Sequence, residues 1–243
     1  MNLSFEISSA FEEIKVGLSY EEVRHEAASR ALERGAERTP EQLEEIATAY
    51  VRTAEMLQAE GVVYAASCFG QFVDEWSTGT LTVGLSPLTY TDESVAVEGI
   101  RSIMSQERAQ FAEISTLELP CGQAVLVIQQ TPALQIPGAL TPGGQDIPID
   151  VAQIQTFIPV SRKDVPGEQA LVTVTFSTPS VDHWPEYSEI VTNFLRTLRF
   201  LPDGPGEGSG VSPTLPPDQK YSQDAEVHSQ ATQGKPEARS IFG

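Results

Sequence analysis

The chain has little positive charge, almost no histidine and almost no cysteine. Lys and Arg together number 15 against 34 Asp and Glu, with three histidines and two cysteines in 243 residues. The net charge of −19 repels polyanions. Phosphate backbones are held by clustered Lys and Arg, so the composition argues against DNA, RNA and anionic membrane surfaces as partners. Two cysteines make neither a disulfide framework nor a four-cysteine zinc site. Cys68 lies in an apolar strand-like run and reads as a core residue. Cys121, between Pro120 and Gly122, reads as an exposed thiol at a hairpin tip, with no cation beside it to activate it. No apolar run reaches the roughly 18 residues of a membrane span. Glu6 interrupts the apolar start, so no secretory signal is read. The Trp-x-Gly turn of type VII secretion substrates is missing too, since Ser77 and Thr78 follow Trp76. The expected compartment is the cytoplasm, with both thiols free.

Catalytic signatures are equally scarce. His25, His183 and His228 stand far apart and without matched ligand spacing, so neither a metal nor a cofactor is expected. No Gly-x-Ser-x-Gly elbow presents a nucleophile. Gly143-Gly144 has neither a phosphate-loop lysine nor a strand-to-helix setting. Ser180 or Asp182 reads as the N-cap of a helix, with Trp184 stapling that helix to a sheet. No catalytic residue is assigned, and the expectation is a protein that is not an enzyme.

Architecture is better marked. Leu3, Phe5 and Ile7 alternate, and Phe11 to Val16 reads as a second extended piece. Ser19 with Glu22, and Thr39 with Gln42, are capping-box pairs opening two helices. Pro40 fits the first turn of the second. Gly35 and Gly61 supply the stops, giving a helical hairpin over 19–60. Leu43, Ile46, Ala47, Tyr50, Ala54 and Leu57 form its apolar stripe. From Gly61 the period becomes two: Val62–Phe69 and Thr80–Leu85 read as strands, joined by a loop over Asp74–Gly79. Thr91 reads as the cap of a helix carrying Val95, Ile100, Ile103 and Met104. Glu113–Leu119 and Ala124–Gln130 form a hairpin, Val151–Val160 a strand, and Val165-Pro166-Gly167-Glu168 a type II turn. Ala170, Val172, Val174 and Phe176 alternate in the last strand. Tyr187, Ile190, Val191, Phe194 and Leu198 recur at helical spacing after it.

Two segments escape this pattern. Thr131–Asp150, rich in Pro and Gly, reads as a long loop carrying Leu134, Ile136, Leu140 and Ile147 on its surface. Residues 203–243 lack core formers and read as a disordered acidic tail, ending on the apolar pair Ile241-Phe242. The predicted organisation is therefore one α+β domain over 1–202, with sheet and closing helix over 61–200, followed by the tail.

The run Phe157-Ile158-Pro159-Val160, then Leu171-Val172-Thr173-Val174-Thr175-Phe176-Ser177-Thr178-Pro179 and the closing Trp184–Phe200 helix, resembles the PsbP-like α/β/α sandwich. Within that group it is similar to small actinobacterial proteins related to the LpqN lipoproteins. The likeness covers roughly Val62 to Phe200. A lipid-attachment cysteine is absent, so an envelope role does not carry over. The resemblance implies a non-catalytic binding fold, and relatives in it include adaptor chaperones and accessory proteins of assemblies. The expected function is a protein-binding module, an adaptor or chaperone for a secretion, toxin or assembly partner. Leu134, Ile136, Leu140, Ile147, Ile241 and Phe242 are its candidate contacts. A small-ligand or enzymatic pocket between sheet and helices, and a structural homo-oligomer subunit, are the alternatives. Oligomeric state stays open.

Overall fold

A computed structural model describes residues 2–15, 18–33, 39–72, 75–108, 110–136, 145–160, 169–201 and 211–214. Strands β1 (Asn2–Glu6) and β2 (Phe11–Glu13) precede helices α1 (Tyr20–Glu33) and α2 (Pro40–Ala59). Then follow β3 (Val62–Phe72), β4 (Glu75–Pro87), α3 (Glu93–Arg108), β5 (Ala112–Leu119), β6 (Gly122–Ile136), β7 (Ile147–Pro159) and β8 (Ala170–Thr178). Helix α4 (Trp184–Thr197), β9 (Arg199–Leu201) and β10 (Val211–Thr214) complete the order. The chain belongs to the α+β class, with helices flanking a mostly antiparallel sheet.

Local chemistry sets the helix boundaries. Ser19 and Glu22 exchange hydrogen bonds at the start of α1. Thr39 and Gln42 form the full capping box of α2. Gly61 follows α2 at φ 75°, and a Cβ there would sit 2.9 Å from the carbonyl oxygen of Leu85, so this turn excludes side chains. Gly35 lies outside the described residues. Helix α3 is capped by Asp92 rather than Thr91: the carboxylate accepts from the amide of Ser94 at 2.9 Å, and the carbonyl of Asp92 accepts from Ala96. The cap is therefore one residue later than expected. Val97 and Ile100 form the buried face of α3, leaving Val95 and Ile103 exposed.

The main sheet has seven strands in the order β2-β3-β4-β8-β7-β6-β5, and every neighbouring pair is antiparallel. Alternation gives it two faces. One carries Tyr64, Leu81, Val83, Val172, Val174 and Phe176 into the large core beneath α4, which contributes Tyr187, Val191, Phe194 and Leu195. Trp184 packs at the margin of that core, as expected of a staple. The other face is covered over Val125 and Val127 by Val97 and Ile100 of α3. Helices thus lie on both faces. A small second sheet, β10-β1-β9, runs beside α4 and buries Leu3, Phe5 and Phe200.

Four sequence expectations change. Within Asp74–Gly79, expected as a loop, Glu75 to Gly79 instead pair with Phe72 to Cys68 as part of β4; Asp74 lies outside the described residues. At Gly79 a Cβ would lie 2.6 Å from the ring of Phe176, so the glycine serves packing rather than flexibility. Thr131–Asp150 is likewise shorter as a loop than expected, because β6 runs to Ile136 and β7 starts at Ile147. Cys121 is buried rather than exposed. Within the segment read as tail, Val211–Thr214 pair in parallel with Leu3–Glu6; the remainder of 203–243 lies outside the described residues, as does the expected turn at 165–168.

Candidate functional site

Strands β6 and β7 outrun their outer neighbours. β5 pairs with β6 only as far as Gln129, and β8 pairs with β7 only as far as Ala152. Beyond those points β6 and β7 pair only with each other, through Thr131–Val151, Leu134–Ile149, Gln135–Pro148 and Ile136–Ile147. The five residues from Ile147 to Val151 extend this two-stranded arm about 17 Å past the sheet body. The register shifts between Thr131 and Leu134, where Pro132 interrupts the ladder as a bulge. Leu134–Ile149 and Ile136–Ile147 are backbone pairs two positions apart, so Ile147 and Ile149 of β7 share one face of the arm. Ile147 is 46% exposed. The sequence candidates Leu134, Ile136 and Ile147 are thereby brought together on paired strands. Leu140, Ile241 and Phe242 lie outside the described residues.

A second feature was missed in the sequence. Phe69 on β3 and Trp76 on β4 stack with ring centroids 5.0 Å apart and planes 16° off parallel, and they are 73% and 67% exposed. Their strand positions place them on the same sheet face as Thr80, Ser177, Gln153 and Gln129, and on the side toward which the arm projects. Those four belong to a polar row: Gln129 donates to Gln153 at 2.7 Å, and Gln153 donates to Ser177 at 2.9 Å. Reading Asp74–Gly79 as a loop hid the aromatic pair, because strand pairing is what stacks the rings.

Between these features β8 is the shorter strand. β8 stops at Thr178, while β4 continues to Glu75 on one side and β7 to Ile147 on the other. The hydroxyl of Ser180 accepts from the Thr78 amide at 3.1 Å, and Thr178 donates to the Thr78 carbonyl at 2.6 Å. Ser180 therefore ends the sheet beside β4 and does not cap α4; that helix follows a short 3-10 turn, Val181–His183, with no side-chain cap from Ser180 or His183. The turn lies against β7. His183 packs against the ring of Phe72 at 5.2 Å, with its Nε2 3.7 Å from Glu75.

Beneath the turn is a buried polar cluster. Ser77 Oγ and the hydroxyl of Tyr187 share a hydrogen bond of 2.8 Å, and Cys68 Sγ lies 3.4 Å from the same hydroxyl. Burial pushes the Cys68 thiol above its ordinary range, against hydrogen bonds that favour the thiolate, so the sulfur stays protonated and poorly nucleophilic. Burial likewise raises the Tyr187 phenol.

Among the described residues no group of three or more His, Cys, Asp or Glu converges as metal ligands. No helix among them is long and apolar enough to cross a membrane. A depression of about 250 Å³ lies between α3 and the β5–β6 hairpin, bounded by Ser94, Val97 and Glu98 and by Thr116, Glu118 and Gln123. No protein-family model matches the chain, and no curated protein matches it.

Proposed function

We propose that the chain is a non-enzymatic protein-binding module of the cytoplasm, an adaptor or chaperone for a partner in secretion, toxin export or assembly. The β6–β7 arm carries this reading. A two-stranded ribbon with aliphatic residues at paired positions, projecting from its own sheet, gains burial only by contact with another surface. Ile147 is exposed at its described end. The rigid sheet behind the arm, packed on both faces, is the platform that holds it. Helices on both faces of one antiparallel sheet are the layering that a PsbP-like sandwich would have. The net charge of −19 favours a neutral or basic protein partner over nucleic acid.

The test replaces residues 132–150 by Asn-Gly, which joins the directly paired Thr131 and Val151 through a two-residue hairpin turn. The variant is expected to keep its circular dichroism spectrum and cooperative unfolding while losing the proteins that co-purify with the intact chain from the native host. Recovery of the same proteins in the same amounts would overturn the reading.

A further inference from the structure

No residue that β4, β8, β7 or the body of β6 turns to the sheet face opposite α4 is charged. In a chain of net charge −19, which keeps itself in solution by exposed carboxylates, so large an uncharged face is the exception. Helix α3 lies over its β5–β7 end, on Val125, Val127 and Phe157. Arg108 of that helix bonds Gln155 at the margin. Beyond α3 the face meets solvent: Thr80 is exposed, and Ser177, Gln153 and Gln129 are half-buried. These four stand side by side across β4, β8, β7 and β6. At one strand spacing per step the row is about 14 Å long.

The hydrogen bonds of the row run one way, from Gln129 to Gln153 and from Gln153 to Ser177. Each glutamine keeps a second amide N–H, each accepting oxygen a second lone pair, and Ser177 its hydroxyl hydrogen. Donors and acceptors are thus offered together along one line. Carboxylates and phosphates only accept, and ammonium and guanidinium groups only donate; a hydroxyl does both. At the far end of the same face stand Phe69 and Trp76. Stacking covers one face of each ring, and exposures of 73% and 67% leave the rest open. Trp76 is four residues from Thr80 on one strand, about 13 Å along β4, with Thr78 of the same face between them. A ligand that touches ring and row is therefore extended and carries many hydroxyls. We propose that this face binds a neutral oligosaccharide. One sugar ring lays its C–H face on Trp76, where the negative face of the indole attracts polarised C–H groups. Hydroxyls of the following units bond Thr80, Ser177, Gln153 and Gln129. The net charge repels an acidic glycan, and the strands of this face offer no carboxylate to a basic peptide. The site lies apart from the apolar residues of the arm and adds a second class of ligand to the protein partner proposed above.

The chain has two tryptophans, so Trp184→Phe leaves Trp76 as its one indole reporter. That variant is titrated with cellohexaose, xylohexaose, mannohexaose and maltohexaose, four neutral linear glycans that differ in shape. At least one should bind saturably, shift the Trp76 emission to the blue and protect it from acrylamide quenching. Hexagalacturonate, of similar length and acidic, should not bind. In calorimetry on the full chain, Trp76→Ala and Thr80→Glu should each weaken the sugar about tenfold, at unchanged circular dichroism and urea midpoint. Thr80 is exposed, so its variant keeps the test decisive should Trp76→Ala fail to fold. Trp76→Ala should retain the proteins that co-purify with the intact chain. No saturable binding of any of the four glycans, or undiminished binding by Thr80→Glu, would overturn the proposal. So would loss of self-association or of co-purifying proteins in a folded Trp76→Ala, because the face would then belong to a protein.

Discussion

Ser77 of β4 and Tyr187 of α4 meet through a 2.8 Å hydrogen bond at the centre of the core, with both residues about 1% exposed. Together with the Cys68 thiol, 3.4 Å from the same hydroxyl, it links the helix to the sheet beneath it. Tyr187→Phe leaves the Ser77 hydroxyl buried without that partner. The expected loss is about 1 to 3 kcal/mol, read as a lower urea midpoint at unchanged m-value. Adding Ser77→Ala should recover part of it, since no orphaned hydroxyl then remains. A double-mutant cycle with zero coupling would show that the bond contributes nothing.

Thr156 of β7 is fully buried, and its hydroxyl has no hydrogen-bond partner among the described residues. Thr156→Val keeps the shape and removes the unsatisfied group. It should stabilise the protein by about 1 kcal/mol and raise Tm by a few degrees in calorimetry. A fall in Tm would mean that the hydroxyl is satisfied after all.

Two strand glycines should respond in opposite ways. At Gly79 an added Cβ would come within 2.6 Å of the Phe176 ring and 3.2 Å of Cys68 Sγ, whereas at Gly70 it meets nothing within 4 Å. Gly79→Ala should cost about 1 to 3 kcal/mol through overpacking. Gly70→Ala should be neutral or stabilising by up to about 1 kcal/mol. Chemical denaturation of the two variants side by side checks the contrast.

The protein should lose stability in strong base. Burial, with a smaller contribution from the Glu13 carboxylate, pushes the Tyr64 phenol up to about 12 from an ordinary value of 10.0. The folded state thus holds its proton where the unfolded chain releases it. That stability is complete below pH 10 and is lost as pH rises from about 10 to about 12. Tyr187 is shifted in the same direction. Thermal melts from pH 9 to 12 should show Tm falling across this window, with tyrosinate absorbance appearing together with unfolding. Tyr64→Phe should flatten part of that fall.

Much of this fold could be read from periodicity. The alternation in Val151–Val160 and Ala170–Ser177 and the helical stripe from Tyr187 to Leu198 each reflect one face packed on one core, which leaves a direct imprint on neighbouring residues. Capping boxes at Ser19 and Thr39 are local chemistry and were equally plain. What stayed hidden depends on distant residues. The need for glycine at 79 is set by Phe176, and the place of Ser180 by its bond to Thr78. The candidate contacts on the arm were named from their apolar character alone; their assembly on paired strands required the register. The unequal ends of β4, β8 and β7 were not legible at all, since β4 is separated in the chain from β8 and β7, which follow it in the sheet.

The place of β8 bears on how the chain is made. Strands β2, β3 and β4 are sequence neighbours, as are β5, β6 and β7, so each trio can pair soon after synthesis. β8 then inserts between them, pairing with β4 on one side and β7 on the other. Until Thr178 has left the ribosome, the nascent chain holds two half-sheets, each with an exposed inner edge and a bare aliphatic face. Such intermediates invite mispairing with other chains. Closing the sheet across so long a stretch of sequence is also intrinsically slow. Premature termination before Ala170 should therefore yield aggregates rather than a smaller soluble domain, and residues 170–178 are where a stalled ribosome would do most harm.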